Sequence, residues 1–439
     1  MDETATPSDA PTTPTPGAAG ASGATAGPLG VDYWRLWSSS AMSNLADGVF
    51  KVALPLVAIR FTRSPSLIAG LTFALTLPWL LFALQAGALA DRMDRRRLML
   101  AANLARAAVL AALVLAVVFD LGTIWVLYLV ALAVGVAETI YDTSAQSIMP
   151  QIVRREQLSR ANGRLYAAEL TANQFVGPPL GGFLVAAGAV TAFATPAALW
   201  LVAVGALVLV RGPFRIPREQ PTTMRTDIAE GLRYLRSHRL LRTLAIMVGG
   251  FNLASSAAFA LFVIFAVGPG SAMGLSEPAF GVLLTTMALG SLVGSLLAER
   301  IERRLGRARA LAASIAGSAL LVGGPALTAD PYLLGGAFFI GGLLIVVWNV
   351  ITVSLRQRIT PDRLLGRVNS GYRLVAWGTM PIGAALGGLL GEMFGVRAVF
   401  AIMAVVNLAL LALMTQVTDA RMDAAEREAD EREADVGAL

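Results

Sequence analysis

The chain of 439 residues contains no cysteine, one histidine and one lysine. Without cysteine there is no disulfide framework and no thiolate nucleophile or ligand. The lone His238 leaves little for metal binding or acid–base catalysis, so no metal, no cofactor and no enzymatic constellation is expected. The lone Lys51 is followed by Val52 inside an apolar run, which excludes a G-x-x-x-x-G-K-[ST] phosphate loop and an ATP site of that kind. Charge is scarce too: 15% of residues are charged and 56% hydrophobic, against about 25% and 45–50% in soluble domains. The net charge of +6 comes from arginines in short segments between apolar runs, not along a groove or tail. That pattern belongs to a membrane protein and not to a nucleic-acid binder.

Twelve stretches are long enough to cross a bilayer, which takes about 20 residues. They run over 34–59, 66–90, 98–118, 123–149, 164–187, 190–210, 240–267, 277–298, 309–328, 332–356, 368–391 and 396–417. Their apolarity is continuous, without two-residue alternation, so helices and not barrel strands are expected. Arginine is confined to alternate connections, among them 92–97, 154–164, 211–242, 300–309 and 356–367; the opposite set holds Arg60, Arg63 and Arg397. By the positive-inside rule the arginine-rich side is cytoplasmic. Both termini are therefore expected in the cytoplasm of a multi-pass inner-membrane protein.

Five regions follow. Residues 1–30, rich in Pro, Thr, Ala and Gly, read as a disordered cytoplasmic tail without the pattern of a signal peptide. Two bundles are expected at 31–210 and 240–417. Between them, 211–239 carries Ile228, Leu232 and Leu235 on one helical face, a basic amphipathic helix expected on the inner leaflet or as a plain linker. Residues 418–439, with eight acids and three arginines, read as a solvated acidic tail.

The halves repeat one another. GALADRMDRRR from Gly87 matches SLLAERIERRL from Ser295, pairing Asp91 with Glu299, Arg92 with Arg300, and Arg95 and Arg96 with Arg303 and Arg304. GPPLGGFL from Gly177 matches GAALGGLL from Gly383, and QSIMP from Gln146 matches QRITP from Gln357. Three matches in one order, about 207 residues apart, indicate a parallel repeat about an axis along the membrane normal.

This layout resembles the major facilitator superfamily of secondary transporters. GALADRMDRRR is similar to its signature between spans two and three, except that Asp94 stands where glycine is usual, so the turn must be made differently. NQFVGPPLGG, from Asn173 to Gly182, is similar to the fifth-span motif of its exporters. SNLADGVFKVALPLVAIRFTRSP and YDTSAQSIMP resemble the enterobactin-exporter and Tap-type multidrug-efflux subgroup. The resemblance implies an all-α integral membrane protein of twelve transmembrane helices in two pseudo-symmetric six-helix bundles, the major facilitator fold. It also implies that spans one, four, seven and ten line a central cavity.

Site residues follow from both arguments. Gly87 permits close helix packing. Asp91, Arg92, Arg95, Arg96, Glu299 and Arg300 would form a cytoplasmic gate that holds while that side is closed, or the arginines would merely set topology. Gly177, Pro178, Pro179, Gly181 and Gly182 would kink span five and shape the outer pathway, or serve packing alone. Ionisable groups inside spans are costly and so informative. Asp47 and Glu138, nearest mid-membrane, are the proton-coupling candidates, because a carboxyl that takes a proton or a cationic drug gives antiport by competition. Lys51, one turn beyond Asp47, would pair with it or receive an anionic, catecholate-like substrate. Asn44, Asp142, Gln146, Asn173, Asn252, Phe259, Trp348 and Asn349 are cavity candidates, with Phe50, Phe251 and Trp377 as further aromatic surface. Asp142 and Glu169 are expected to pair with Arg106, Arg164 or Arg373. The expected partners are a small-molecule substrate, protons and the bilayer, with no nucleic acid and no ATP, for a monomer that exports a small amphipathic molecule. A metabolite importer of the same fold and a non-transporting sensor are the alternatives.

Overall fold

The computed structural model describes residues 28–212, 214 and 224–437, and among these every regular element is helical. The first half runs α1 (Val31–Ala58), α2 (Pro65–Arg92), α3 (Arg95–Val118), α4 (Ile124–Ile148), α5 (Leu158–Glu169), α6 (Gly177–Ala187) and α7 (Ala189–Val208). After α8 (Met224–Ser237) come α9 (Arg239–Ala266), α10 (Glu277–Leu305), α11 (Arg307–Leu327), α12 (Pro331–Ile359), α13 (Asp362–Phe394) and α14 (Val396–Ala409). A 3-10 stretch, Leu410–Gln416, prolongs α14, and α15 (Asp419–Gly437) follows.

Among the described residues, eleven helices are long and apolar enough to cross a bilayer unaided. The remaining crossing, fifth in order, is composite. α5 has 12 residues and α6 has 11, each too short alone, and the π-helical stretch Leu170–Val176 joins them. Pro178 and Pro179 have no N–H to donate to the preceding turn. The carbonyl of Phe175, which Pro179 cannot serve, lies 3.4 Å from Thr285 Oγ1 of α10, a hydroxyl it shares with Gly281 O at 3.1 Å. The expected kink takes the form of a change in helical pitch.

Three helix starts on the arginine-poor side combine a side-chain cap with an early proline. Ser64 Oγ accepts from Leu67 N ahead of Pro65, Ser276 Oγ from Ala279 N ahead of Pro278, and Asp330 from Tyr332 N and Leu333 N ahead of Pro331. Asp94 resolves the missing glycine of the signature. Met93 and Asp94 are extended, with φ −107° and −65°. Asp94 Oδ1 caps α3 by accepting from Arg97 N, and Oδ2 accepts from Phe214 N, both at 3.0 Å. No left-handed residue is required there. Gly188 (φ +137°) and Gly395 (φ +83°) are the one-residue links between the last two crossings of each half, at the same repeat spacing of about 207 residues.

Burial divides the molecule unevenly. At the arginine-poor end one apolar cluster runs through both halves, from Phe50, Leu56 and Trp200 to Phe262, Phe338 and Phe400. At the arginine-rich end there are two separate clusters. One holds Tyr33, Met99, Tyr141 and Leu207 of the first half, the other Leu241, Leu311, Val347 and Val368 of the second. The sealed end is also bridged by polar contacts. Arg60 Nη2 donates to Val185 O (3.0 Å) and Glu277 Oε1 (3.3 Å), and Arg63 Nη1 to Val267 O (3.0 Å). Ser64 and Ser66 hydroxyls donate to Glu392 Oε2 at 3.0 and 3.1 Å. α6 and α10 touch backbone to backbone: a Cβ on Gly281 would lie 2.2 Å from Pro178 O. Large apolar side chains such as Leu129, Leu296 and Val405 point outward, as lipid contact requires.

Two expectations about the surface need correction. The apolar face of α8 packs on the C-terminal bundle at Leu235 and Gly231. Leu235 is buried, Gly231 lies against the backbone of Arg367, and Glu230 pairs with Arg367. The acidic tail is not freely solvated either. α15 buries Met422 and Ala425, Arg307 pairs with Asp423 and Glu426, and Asp419 Oδ1 accepts from Ala308 N at 2.9 Å. An amphipathic face finds protein before lipid when a complementary charge fixes its register. The tail through residue 27, residues 215–223, and the side chains of Asp91 and Ile228 lie outside the described residues.

Candidate functional site

The two clusters of the arginine-rich end do not merge. The polar cleft between them is crossed by Arg373 Nη1 bonding Gln146 Oε1 (2.7 Å) and by Trp79 edge-on to Trp377 (4.6 Å). The spans carry their ionisable groups to it or just behind its walls. In the first half, α1 brings Asp47 and Lys51, α3 brings Arg106, and α4 brings Glu138 and Asp142. Asp47 Oδ1 accepts from Arg106 Nη1 at 2.7 Å. Arg106 Nη2 also donates to Asn103 Oδ1 (2.6 Å) and Ser43 Oγ (3.3 Å). Its guanidinium lies over the rings of Tyr141 (4.7 Å) and Trp200 (5.0 Å). The Arg106 side chain is 0% exposed and that of Asp47 6%, so this pair is closed off from the cleft. Lys51 Nζ sits 2.9 Å from Glu138 Oε1, and the Lys51 side chain is 38% exposed.

The expected Asp47–Lys51 pair therefore does not form. Spacing of four along one helix brings two residues to one face, but Arg106 reaches Asp47 from a neighbouring helix and Lys51 turns to α4. Arg106 is accordingly not the partner of Asp142 or Glu169. Arg164 lies over the Trp34 ring at 5.5 Å, and Arg373 Nη1 donates to Gln146 Oε1 at 2.7 Å, across the two halves. Among the described residues, Asp142 and Glu169 have no ion-pair partner.

The polar candidates separate by what they touch. Asn44 Nδ2 bonds within its own helix to Ser40 O at 2.9 Å. Asn173 sits in the π stretch, where its backbone leaves room only for the hydrogen of Gly48: a Cβ there would be 2.5 Å from Asn173 O. Asn252 Nδ2 donates to Ala376 O at 2.7 Å, tying α9 to α13. Trp348 and Asn349 line a pocket of about 290 Å³ in the C-terminal bundle, together with Phe251 and Trp377. Two aromatics do not face the cleft. Phe259 packs with Phe262 and Phe338 in the sealed end, and Phe50 is buried against Trp200. Their apolarity is satisfied by other rings, which spacing along one helix could not reveal.

Of the gate candidates, Arg96 and the Arg95 backbone bind within their own half. Arg96 donates to Leu207 O and Val208 O at the end of α7, at 3.0 and 2.6 Å. Arg95 is buried beside the same connection, its N–H bonded to Phe214 O. Gly87 is buried, while Arg92, Glu299 and Arg300 are exposed. Of the kink residues, Gly177, Pro178, Gly181 and Gly182 are buried against α1 or α10. Unanticipated were Trp200 and Tyr141 around Arg106, and the stacks of Arg356 on Tyr372 (4.1 Å) and Arg373 on Trp377 (4.3 Å). Arg106 and Arg373, each isolated in a span, were the sequence signals; Arg356 stood among the arginines of the connection 356–367.

Twelve helical crossings, repeated six and six around a polar cleft sealed at one end, define a transporter of the major facilitator superfamily. The family model described as "Transmembrane secretion effector" matches residues 24–436. The chain belongs to that family, and it is a multi-pass membrane protein. Similar relatives include "Multidrug efflux pump Tap" of Mycobacterium tuberculosis (strain ATCC 25618 / H37Rv), 29% identical over 82% of this chain and 87% of that one. "Enterobactin exporter EntS" of Citrobacter koseri is 27% identical over 80% and 83%. Among solved structures, a bacterial homologue of the iron transporter ferroportin in an inward-facing state aligns with a TM-score of 0.69 at 16% identity, covering 88% of this chain and 98% of that one. The nucleoside transporter NupG aligns with a TM-score of 0.68 at 15% identity, covering 88% and 99%. These structures share the fold.

Proposed function

We propose that the chain exports a small amphipathic molecule from the cytoplasm in exchange for protons, by alternating access of its two halves. The arginine-rich end is taken as cytoplasmic, by the positive-inside rule. The observation that carries the reading is the uneven core: one cluster spans both halves at the arginine-poor end, and two separate clusters flank a cleft at the other. A packed seam is bistable and not continuously deformable, so such a pair of halves switches which end is sealed. The exporter names of the relatives, an efflux pump and an enterobactin exporter, support the outward direction.

For coupling, the reading moves from Asp47 to Glu138 and Asp142. Asp47 is held by a fully buried guanidinium and is itself 6% exposed, which favours the more open acids as exchangers. Glu138 shares a half-open pair with Lys51, and Asp142 lies one turn further along α4. Proton uptake by Glu138 would release Lys51. In proteoliposomes with an imposed pH gradient, tested against ethidium, tetracycline and 2,3-dihydroxybenzoate, the wild type should show gradient-dependent flux of at least one. Glu138→Gln and Asp142→Asn should each cut it by at least about tenfold, a loss of about 1.4 kcal/mol in barrier terms. Flux unchanged after the gradient is collapsed, or unaffected by both substitutions, overturns the coupling. In whole cells, deletion of the gene should raise accumulation of the transported probe; lowered accumulation would mark an importer.

A further inference from the structure

The C-terminal bundle has a pocket of its own. It is walled by α9, α11, α12 and α13, and it meets the acid-bearing α4 of the first half where Arg373 bonds Gln146. Its lining includes Arg356, Arg373, Tyr372, Trp377, Trp348 and Asn349. Each guanidinium carbon lies over one ring, Arg356 at 4.1 Å from the Tyr372 centroid and Arg373 at 4.3 Å from that of Trp377. Each also donates to a neutral amide oxygen: Arg356 Nε to Asn369 Oδ1 at 2.8 Å, and Arg373 Nη1 to Gln146 Oε1 at 2.7 Å. Among the described residues neither is ion-paired with a carboxylate. Asp142, whose field reaches Arg373, belongs to the opposite wall.

Arg373 stands well inside α13, where an unpaired cation is expensive, and Arg356 lies in the last turn of α12 at the arginine-rich end. Two in one pocket, each held in place by a ring and an amide, keep most of their N–H donors for something else. Guanidinium is suited to bidentate contact with a carboxylate or similar planar anion. Trp348 and Trp377 supply apolar ring faces in the same space. We infer that this pocket binds a planar aromatic anion, with the charged group on Arg356 and Arg373 and the ring against the tryptophans. The inference rests on the proposed reading of the cleft as a transport path, and it specifies the cargo. It also changes the coupling: cargo and proton occupy opposite halves, so they communicate through the arrangement of the halves each favours and do not compete for one carboxyl.

The test is direct binding to the purified full-length protein, measured by scintillation proximity with radiolabelled salicylate. The wild type should bind saturably, with displacement by 2-naphthoate and not by 2-naphthylmethylamine, its cationic counterpart. Arg356→Gln and Arg373→Gln should each weaken binding by at least about tenfold, the usual worth of a charged hydrogen bond. Arg356→Lys and Arg373→Lys keep the charge and serve as folded comparisons; they should retain more binding than the Gln variants. Absent saturable binding, equal displacement by the amine, or Gln variants that bind as the wild type does would overturn the inference. Binding needs no gradient. Arginine-dependent binding without gradient-driven flux would sink the proposed function alone; flux with arginine-independent binding would sink this inference alone.

Discussion

The two halves repeat one fold and spend their charged residues in opposite ways. In the first half, Arg106 is enclosed by Asp47, Asn103 and two rings, and serves no surface. In the second, Arg356 and Arg373 lie on rings but face a pocket, with amides as their polar partners. Acids gather on the first wall and cations on the second. A duplicated framework thus keeps its packing rules while its interior chemistry diverges. Packing seams are set by glycines against backbone, whereas wall residues are free to specialise.

The contrast should break hardest at Asp47. Asp47→Asn or Arg106→Gln leaves one buried charge without its partner, which costs about 3–5 kcal/mol. The double variant should recover much of that loss. Arg356→Gln, in a partly buried residue without a carboxylate partner, should cost under about 1 kcal/mol. Heating the detergent-solubilised variants and following the monodisperse fraction checks all four; equal losses at Arg106 and Arg356 would abolish the distinction.

A smaller effect tests what the halves share. A Cβ on Gly177 would lie 2.7 Å from Gly48 Cα, and one on Gly383 would lie 2.2 Å from Leu253 O. Gly177→Ala and Gly383→Ala should both destabilise, by about 1–3 kcal/mol each, since backbone cannot yield to a methyl group. The same heating assay would show a one-sided loss if the seams were not equivalent.

The smallest effect lies at the start of each bundle. α1 begins at Gly30 with no side-chain cap, whereas His238 at the matching place caps α9, its Nδ1 accepting from Leu241 N at 3.4 Å. Burial, helped by Arg432, holds the His238 imidazole below its ordinary 6.5. The unfolded chain therefore takes up a proton before the folded one does. Stability from this group is complete above pH 6.5 and falls as the pH drops below it. His238→Ala should cost at most about 1 kcal/mol at pH 8 and should flatten the decline between pH 6.5 and 5. A wild-type profile without that decline would remove the group from the account.

Much of the fold was legible because hydropathy runs and arginine placement are local signals. Residue spacing gave the repeat, from Asp91 against Glu299 to Gly177 against Gly383. The pairing of charges was not legible. Asp47 and Lys51 stand four apart on one helix, yet each takes its partner from another, and no one-dimensional pattern encodes which helix stands opposite. The docking of α8 and α15 was missed for a related reason. A polar-apolar face announces that it will be covered, but not by what. The composite fifth crossing was half visible: the prolines foretold a break, while the π stretch before them depends on what its neighbours can donate.

The Phe175 carbonyl carries that dependence into motion. The Thr285 hydroxyl that approaches it at 3.4 Å belongs to α10, in the other half, and also reaches Gly281 O of its own helix at 3.1 Å. One proton serves both oxygens, so parting α6 from α10 would hand it wholly to Gly281 and leave the Phe175 carbonyl to whatever fills the gap. In the proposed outward opening that filler is water, and the threonine hydroxyl marks where the first molecule would arrive.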